Sequence, residues 1–174
     1  VKNGYMPLHY VNRQLCFGGL SILVMVFFSM LSPQSIRRFG VIGFLLAFIA
    51  LALLPIFGTD FGKGSIRWYS LGFSSLQPSE FLKPFFVILT AWLIASSSEI
   101  NGPPGKLISF FIAILVSLFL AIQPDFGQAS LILASWGMIY FVAGAPLILL
   151  LVVVMSILGA GILAYNISEH FARR

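Results

Sequence analysis

The sequence contains very little charge. Of its 174 residues, only 9% are Asp, Glu, Lys or Arg, whereas 59% are hydrophobic. A water-soluble domain usually carries about 25% charged residues, so this chain cannot cover a water-exposed surface. The composition excludes a soluble globular domain, a disordered chain and a nucleic-acid binder. It leaves a membrane protein that crosses the bilayer several times.

Cysteine and the common metal and nucleotide motifs are also scarce. Cys16 is the one cysteine, so no internal disulfide can form. The sequence has no HExxH, CxxC, P-loop or GxGxxG pattern, and His9 and His170 lie near opposite ends. Nothing therefore indicates a zinc cage or a nucleotide-binding loop.

Six segments that are almost free of charge are long enough to cross a bilayer. About 20 helical residues span a hydrocarbon core of ~30 Å. The segments lack the two-residue alternation of barrel strands. The sequence therefore predicts an all-α, polytopic membrane helix bundle that forms a single membrane domain over 1–174. Its helices are expected at about 15–31, 39–57, 78–95, 107–122, 128–143 and 147–165.

The segment between the second and third predicted helices mixes cations with aromatic residues. Trp68 and Tyr69 suit the headgroup level of a bilayer. One interpretation is an interfacial loop anchored by its aromatic side chains. The other is a cationic lip, in which Arg67 holds a phosphate bidentately and Lys63 adds charge.

The third predicted helix opens with Gln-Pro-Ser-Glu-Phe-Leu-Lys-Pro. Pro78 fits a first helical turn, and Pro84 removes a backbone hydrogen bond and should bend the helix. Glu80 and Lys83 are three residues apart, so they share a helix face and can pair. The pair is either a structural brace or a functional pair facing a cavity, because charge at membrane depth is costly.

A short break, Gln-Pro-Asp-Phe-Gly-Gln, separates the fourth and fifth predicted helices. Its acidic residue, Asp125, is either an N-cap of the fifth helix or a buried carboxylate that meets a cation, a metal or a substrate hydroxyl. The number of crossings puts this break on the same membrane side as Arg67, Glu80 and Lys83. The four side chains are therefore expected to line one cavity.

Three motifs occur in the order and spacing of a known family: GSIRWYSLG at 64–72, QPSEFLKP at 77–84 and QPDFGQ at 123–128. On these residues the chain resembles the SEDS family of bacterial cell-wall proteins, and most of all its cell-division members. The resemblance implies an incomplete chain that corresponds to helices two to seven of a ten-helix fold. The first helix and the last three would be missing.

The resemblance also implies a function. The family polymerises lipid II, an undecaprenyl diphosphate-linked precursor, into glycan strands at the cytoplasmic membrane, here at the division septum. A divalent metal ion supports the reaction, and a class B penicillin-binding protein and other divisome membrane proteins are partners. The family's catalytic aspartate would lie beyond Arg174. This chain is then expected to hold no catalytic residue and to be inactive alone.

The candidate site residues fall into two groups. Substrate binding is expected at Arg67, Lys63, Glu80, Lys83 and Asp125. Structural or interfacial roles are expected at Trp68, Pro78, Pro84 and Gly127. No metal ligands can be assigned.

The orientation and the class of activity stay open. Seven Lys and Arg residues fall on the side of the termini and three on the other, which favours termini in the cytoplasm. The family's topology puts them outside. Two other functions remain alternatives: a lipid II carrier or flippase, and a non-catalytic remnant of a split gene.

Overall fold

The computed structural model describes residues 9–59, 66–70 and 75–144, together with six single positions between 148 and 159. The chain divides into two compact units between residues 38 and 39, and each is described by itself. Within the described residues there are five helices and one hairpin. They are α1 (His9–Ser29), α2 (Pro33–Phe57), β1 (Tyr69–Ser70), β2 (Ser75–Leu76), α3 (Pro78–Ser96), α4 (Gly105–Ile122) and α5 (Phe126–Val142).

The first five predicted helices are confirmed. The helices α2, α3 and α4, with 25, 19 and 18 residues, are long and apolar enough to cross a membrane. Shorter apolar helical stretches run over Gln14–Ser29 in α1 and Phe126–Val142 in α5. The sixth predicted helix, 147–165, lies mostly outside the described residues. The prediction of an all-α membrane bundle is confirmed.

Two glycines let α2 approach α3 closely. A side chain at Gly40 would collide with Ile88, and one at Gly43 would collide with the ring of Phe85. Residues three apart lie on the same face of a helix, and small residues there allow close packing. The sequence of α2 thus favours α3 as its neighbour in the second unit.

The core of the second unit is formed by α2, α3, α4 and α5 together. Its fully buried side chains include Leu51, Leu54, Leu82, Phe86, Val116, Leu120 and Ile132. A buried hydrogen bond, from Trp136 Nε1 to Ser109 Oγ at 3.2 Å, ties α5 to α4. This core holds the starts of α3 and α5 in place.

The segment expected as an interfacial loop forms a small hairpin. Tyr69 pairs with Leu76, and Ser70 pairs with Ser75. The Tyr69 hydroxyl donates to the Ala50 carbonyl oxygen of α2 at 2.7 Å, and burial raises the pKa of this phenol. The phenol therefore stays protonated and anchors the hairpin to α2.

Candidate functional site

Arg67 lies against the carbonyl end of α4. Its Nε donates to the Gln123 carbonyl oxygen at 3.2 Å, and its Nη2 donates to that of Pro124 at 2.6 Å. Gln123 is the C-cap of α4, and a cation at a helix C-terminus is favoured by the helix dipole. Arg67 therefore fastens the segment before the hairpin to the turn between α4 and α5.

Arg67 is also the residue predicted to hold a phosphate bidentately, and that contact stays a prediction. Two of its three nitrogens are occupied by the backbone carbonyls. The third, Nη1, lies 3.8 Å from Asp125 Oδ1. Nη1 is thus the nitrogen left to meet another anion, and the Arg67 side chain keeps 27% of its surface exposed.

Asp125 occupies the N-cap position of α5, but its side chain makes no capping hydrogen bond. The N-cap alternative is therefore confirmed for the position of Asp125, while its side chain meets a cation, as the other alternative expected. The carboxylate turns instead toward Arg67 and accepts a hydrogen bond on Oδ2 from Gln77 Nε2 at 3.2 Å. Only 13% of its side chain is exposed, so these partners stabilise a charge with little access to water.

The predicted ion pair between Glu80 and Lys83 is confirmed. Lys83 Nζ lies 2.7 Å from Glu80 Oε2. The other oxygen, Glu80 Oε1, accepts a hydrogen bond from Gln128 Nε2 at 2.8 Å. Lys83 is 28% exposed, so its ammonium group has room for a further acceptor.

Two hydrogen bonds join the starts of α3 and α5 with the same register. Gln77 pairs with Asp125 and Glu80 with Gln128, and each pair is 48 residues apart in sequence. Moving three residues along α3, from Gln77 to Glu80, corresponds to moving three residues along α5, from Asp125 to Gln128. The starts of the two helices therefore lie side by side and run in the same direction. Each helix gives one amide and one carboxylate. The reciprocal pairing brings Arg67, Glu80, Lys83 and Asp125 to one place.

Two buried polar atoms at this place have no hydrogen-bond partner among the described residues. They are Ser79 Oγ, next to Glu80, and Gln128 Oε1. Buried polar groups are normally paired. Because both atoms are buried, only a partner as small as a water molecule could satisfy them.

The described residues contain no cluster of three metal-ligating side chains. No group of three His, Cys, Asp or Glu side chains lies together within the part of the chain that the structure describes. Both oxygens of Glu80 already have partners. The divalent metal ion stays a prediction from the resemblance.

The other predicted residues take separate positions. Lys63 lies outside the described residues. Trp68 forms an isolated antiparallel bridge with Thr59 and is 37% exposed. Pro78 is the first residue of α3, and the helix continues through Pro84. Gly127 has open space where a side chain would begin.

Sequence reasoning assigned no role to three glutamines that complete the site. Gln77 and Gln128 hold the two carboxylates, and the buried Gln123 donates from Nε2 to the Leu51 carbonyl oxygen at 3.1 Å. A signal was present, because Gln77 and Gln123 each precede a proline and an acidic residue follows soon after. Amides are expensive in an apolar chain unless they are paired.

A family model described as Cell cycle protein, for FtsW, RodA and SpoVE, matches residues 2–174. The chain belongs to this family. The resemblance inferred from the three motifs is thereby confirmed, and the protein is a membrane protein.

Curated relatives carry the name probable peptidoglycan glycosyltransferase FtsW. The protein of Caulobacter vibrioides is 37% identical over 139 residues, which are 80% of this chain and 35% of that protein. That of Helicobacter pylori strain J99 is 31% identical over 180 residues, covering 95% of this chain and 46% of the relative. The chain thus spans less than half the length of these relatives.

Solved structures share the fold. The crystal structure of the rod shape determining protein RodA of Thermus thermophilus matches with a TM-score of 0.72 and 24% identity, over 88% of this chain and 50% of that one. A chain of a peptidoglycan synthase complex matches with a TM-score of 0.70 and 24% identity, over 93% of this chain and 48% of that one. These likenesses establish the helical membrane fold.

Proposed function

We propose that this chain is part of a peptidoglycan glycosyltransferase that polymerises lipid II during septal cell-wall synthesis. One observation carries the proposal: the reciprocal pairing of α3 and α5 collects Arg67, Glu80, Lys83 and Asp125 at one helix end. The name of the Caulobacter relative, probable peptidoglycan glycosyltransferase, supports the same activity.

The cluster suits the diphosphate of an undecaprenyl-linked substrate. Lys83 supplies an accessible ammonium group, and Arg67 supplies Nη1. Cations placed where a diphosphate leaves stabilise the charge that develops there. Glu80 and Gln128 would hold Lys83 in position.

The remaining parts of the reaction belong to the proposal as well. No catalytic residue is assigned within this chain. A divalent metal ion, a class B penicillin-binding protein and other divisome membrane proteins are the expected partners. The likeness to a chain of a peptidoglycan synthase complex, described as coordinating polymerisation and crosslinking, supports such an assembly.

A chimeric protein tests the function. The Caulobacter relative would carry this chain in place of its matched segment and be reconstituted with purified lipid II. We expect the chimera to form glycan strands and this chain alone to form none. A correctly inserted chimera without polymerase activity would contradict the proposal. Transfer of fluorescent lipid II across the vesicle membrane without polymer would indicate a carrier instead.

A further inference from the structure

A cleft of about 610 Å³ opens at the far ends of the same helices. The proposed function uses the starts of α3 and α5, whereas this cleft lies between the end of α3, the start of α4 and the end of α5. Its walls include Ser97, Lys106, Leu107, Phe110, Trp136 and Tyr140.

One wall of the cleft is aromatic and held in place. The rings of Trp136 and Tyr140 stack with centroids 4.9 Å apart and planes 18° apart. Phe110 lies 5.3 Å from Trp136, centroid to centroid. Because the Trp136 indole nitrogen is bonded to Ser109, the wall is preformed and does not have to assemble around a ligand.

The other feature of the cleft is an unpaired cation. Lys106 is exposed, and no carboxylate of the described residues lies within ion-pairing distance of it. Glu99, in the same connection, does not pair with it. Lys106 also sits in the first turn of α4, where the helix dipole disfavours a positive charge, and the N-cap Pro104 offers no side-chain acceptor. An anion beside Lys106 would neutralise its unpaired charge and would also offset its unfavourable position in the helix dipole.

We propose that this cleft binds an anionic glycerophospholipid, with its phosphate at Lys106 and an acyl chain along Phe110 and Trp136. The cleft lies where helices of a membrane protein end, so it meets the headgroup region of the bilayer. Basic pockets between membrane helices bind acidic lipid headgroups. A neutral phospholipid would leave Lys106 without net compensation, and a small soluble anion would leave the aromatic wall uncovered.

Fluorescence quenching in nanodiscs tests the site. Trp68→Phe and Trp92→Phe leave Trp136 as the single tryptophan of the full chain. Brominated phosphatidylglycerol should quench the fluorescence of Trp136 at about fivefold lower mole fraction than brominated phosphatidylcholine. This factor corresponds to the ~1 kcal/mol by which one basic residue attracts an acidic lipid. Lys106→Gln should remove the preference, and Lys106→Arg should keep it.

Arg38→Gln is the matched control, because Arg38 is an exposed cation that does not line the cleft. It should leave the preference for phosphatidylglycerol unchanged. High salt should abolish the preference in the chain that keeps Lys106 and has Trp136 as its single tryptophan, since salt screens an exposed charge. Equal quenching by the two lipids, or a preference that survives Lys106→Gln, would overturn the proposal.

Discussion

The Gln128 amide donates to Glu80 Oε1 at 2.8 Å, and its own oxygen is buried and has no partner among the residues that the structure describes. The bond crosses from α5 to α3 and fixes one oxygen of a carboxylate whose other oxygen holds Lys83. One turn earlier the donor is on α3 and the acceptor on α5, as Gln77 donates to Asp125. The two carboxylates are therefore positioned by amides, and Glu80 in turn positions the ammonium group of Lys83.

A reciprocal exchange tests whether this bond holds the helices together. Gln128→Glu should destabilise the fold, because it places two carboxylates opposite each other. Glu80→Gln should also destabilise it, because Lys83 loses its partner. The double variant restores an amide–carboxylate hydrogen bond, with the donor now on α3 and the acceptor on α5. We expect a favourable coupling of about 1 kcal/mol or more in a double-mutant cycle, measured by thermal unfolding in detergent. If the destabilisation of the double variant equalled the sum of the two single destabilisations, the hydrogen bond between Gln128 and Glu80 would not hold the helices together.

Lys83 is expected to contact the diphosphate directly. Lys83→Gln should weaken binding of lipid II about 10- to 100-fold, the range for losing a charged hydrogen bond of ~1.5–3 kcal/mol. Lys83→Arg keeps the charge and should retain most of the affinity. Fluorescent lipid II titrated into the reconstituted protein gives the dissociation constants.

The control for the Lys83 titration is Arg38→Gln, which removes one exposed positive charge from a different helix. It should change the affinity little. If the two glutamine variants lost affinity equally, the effect would be general electrostatic attraction, and Lys83 would have no specific contact.

The helices could be predicted from the sequence because uncharged stretches of the right length have few other stable forms in a bilayer. The pair of Glu80 and Lys83 followed from helical spacing alone. By contrast, the contact of Arg67 with Asp125 joins positions 58 residues apart, and no local pattern fixes such a distance. The Asp125 side chain does not cap α5 for the same reason: a distant guanidinium and the Gln77 amide compete for its oxygens.

The orientation of the chain can be read with single cysteines. Ser70 and Ser98 are both exposed and lie at opposite ends of α3. In a Cys16→Ser background, we expect Ser70→Cys to react with a membrane-impermeant maleimide in intact cells, as the family topology implies. Ser98→Cys should react only after the membrane is permeabilised. The reverse pattern would mean that the excess of positive residues on the Ser70 side decides the orientation.

Gly105 allows α4 to begin directly against the last turn of α3. A side chain there would meet the carbonyl group of Leu93, which is backbone and cannot move aside as a flexible side chain can. Gly105→Ala should therefore destabilise the protein by about 1–3 kcal/mol through overpacking. At Gly127, near the start of α5, the same substitution meets open space, and it should be neutral or stabilise by up to ~1 kcal/mol because alanine favours helix. Unfolding of the two variants under identical conditions separates the effects. Equal stability of both would mean that α3 and α4 can shift apart at this contact without cost.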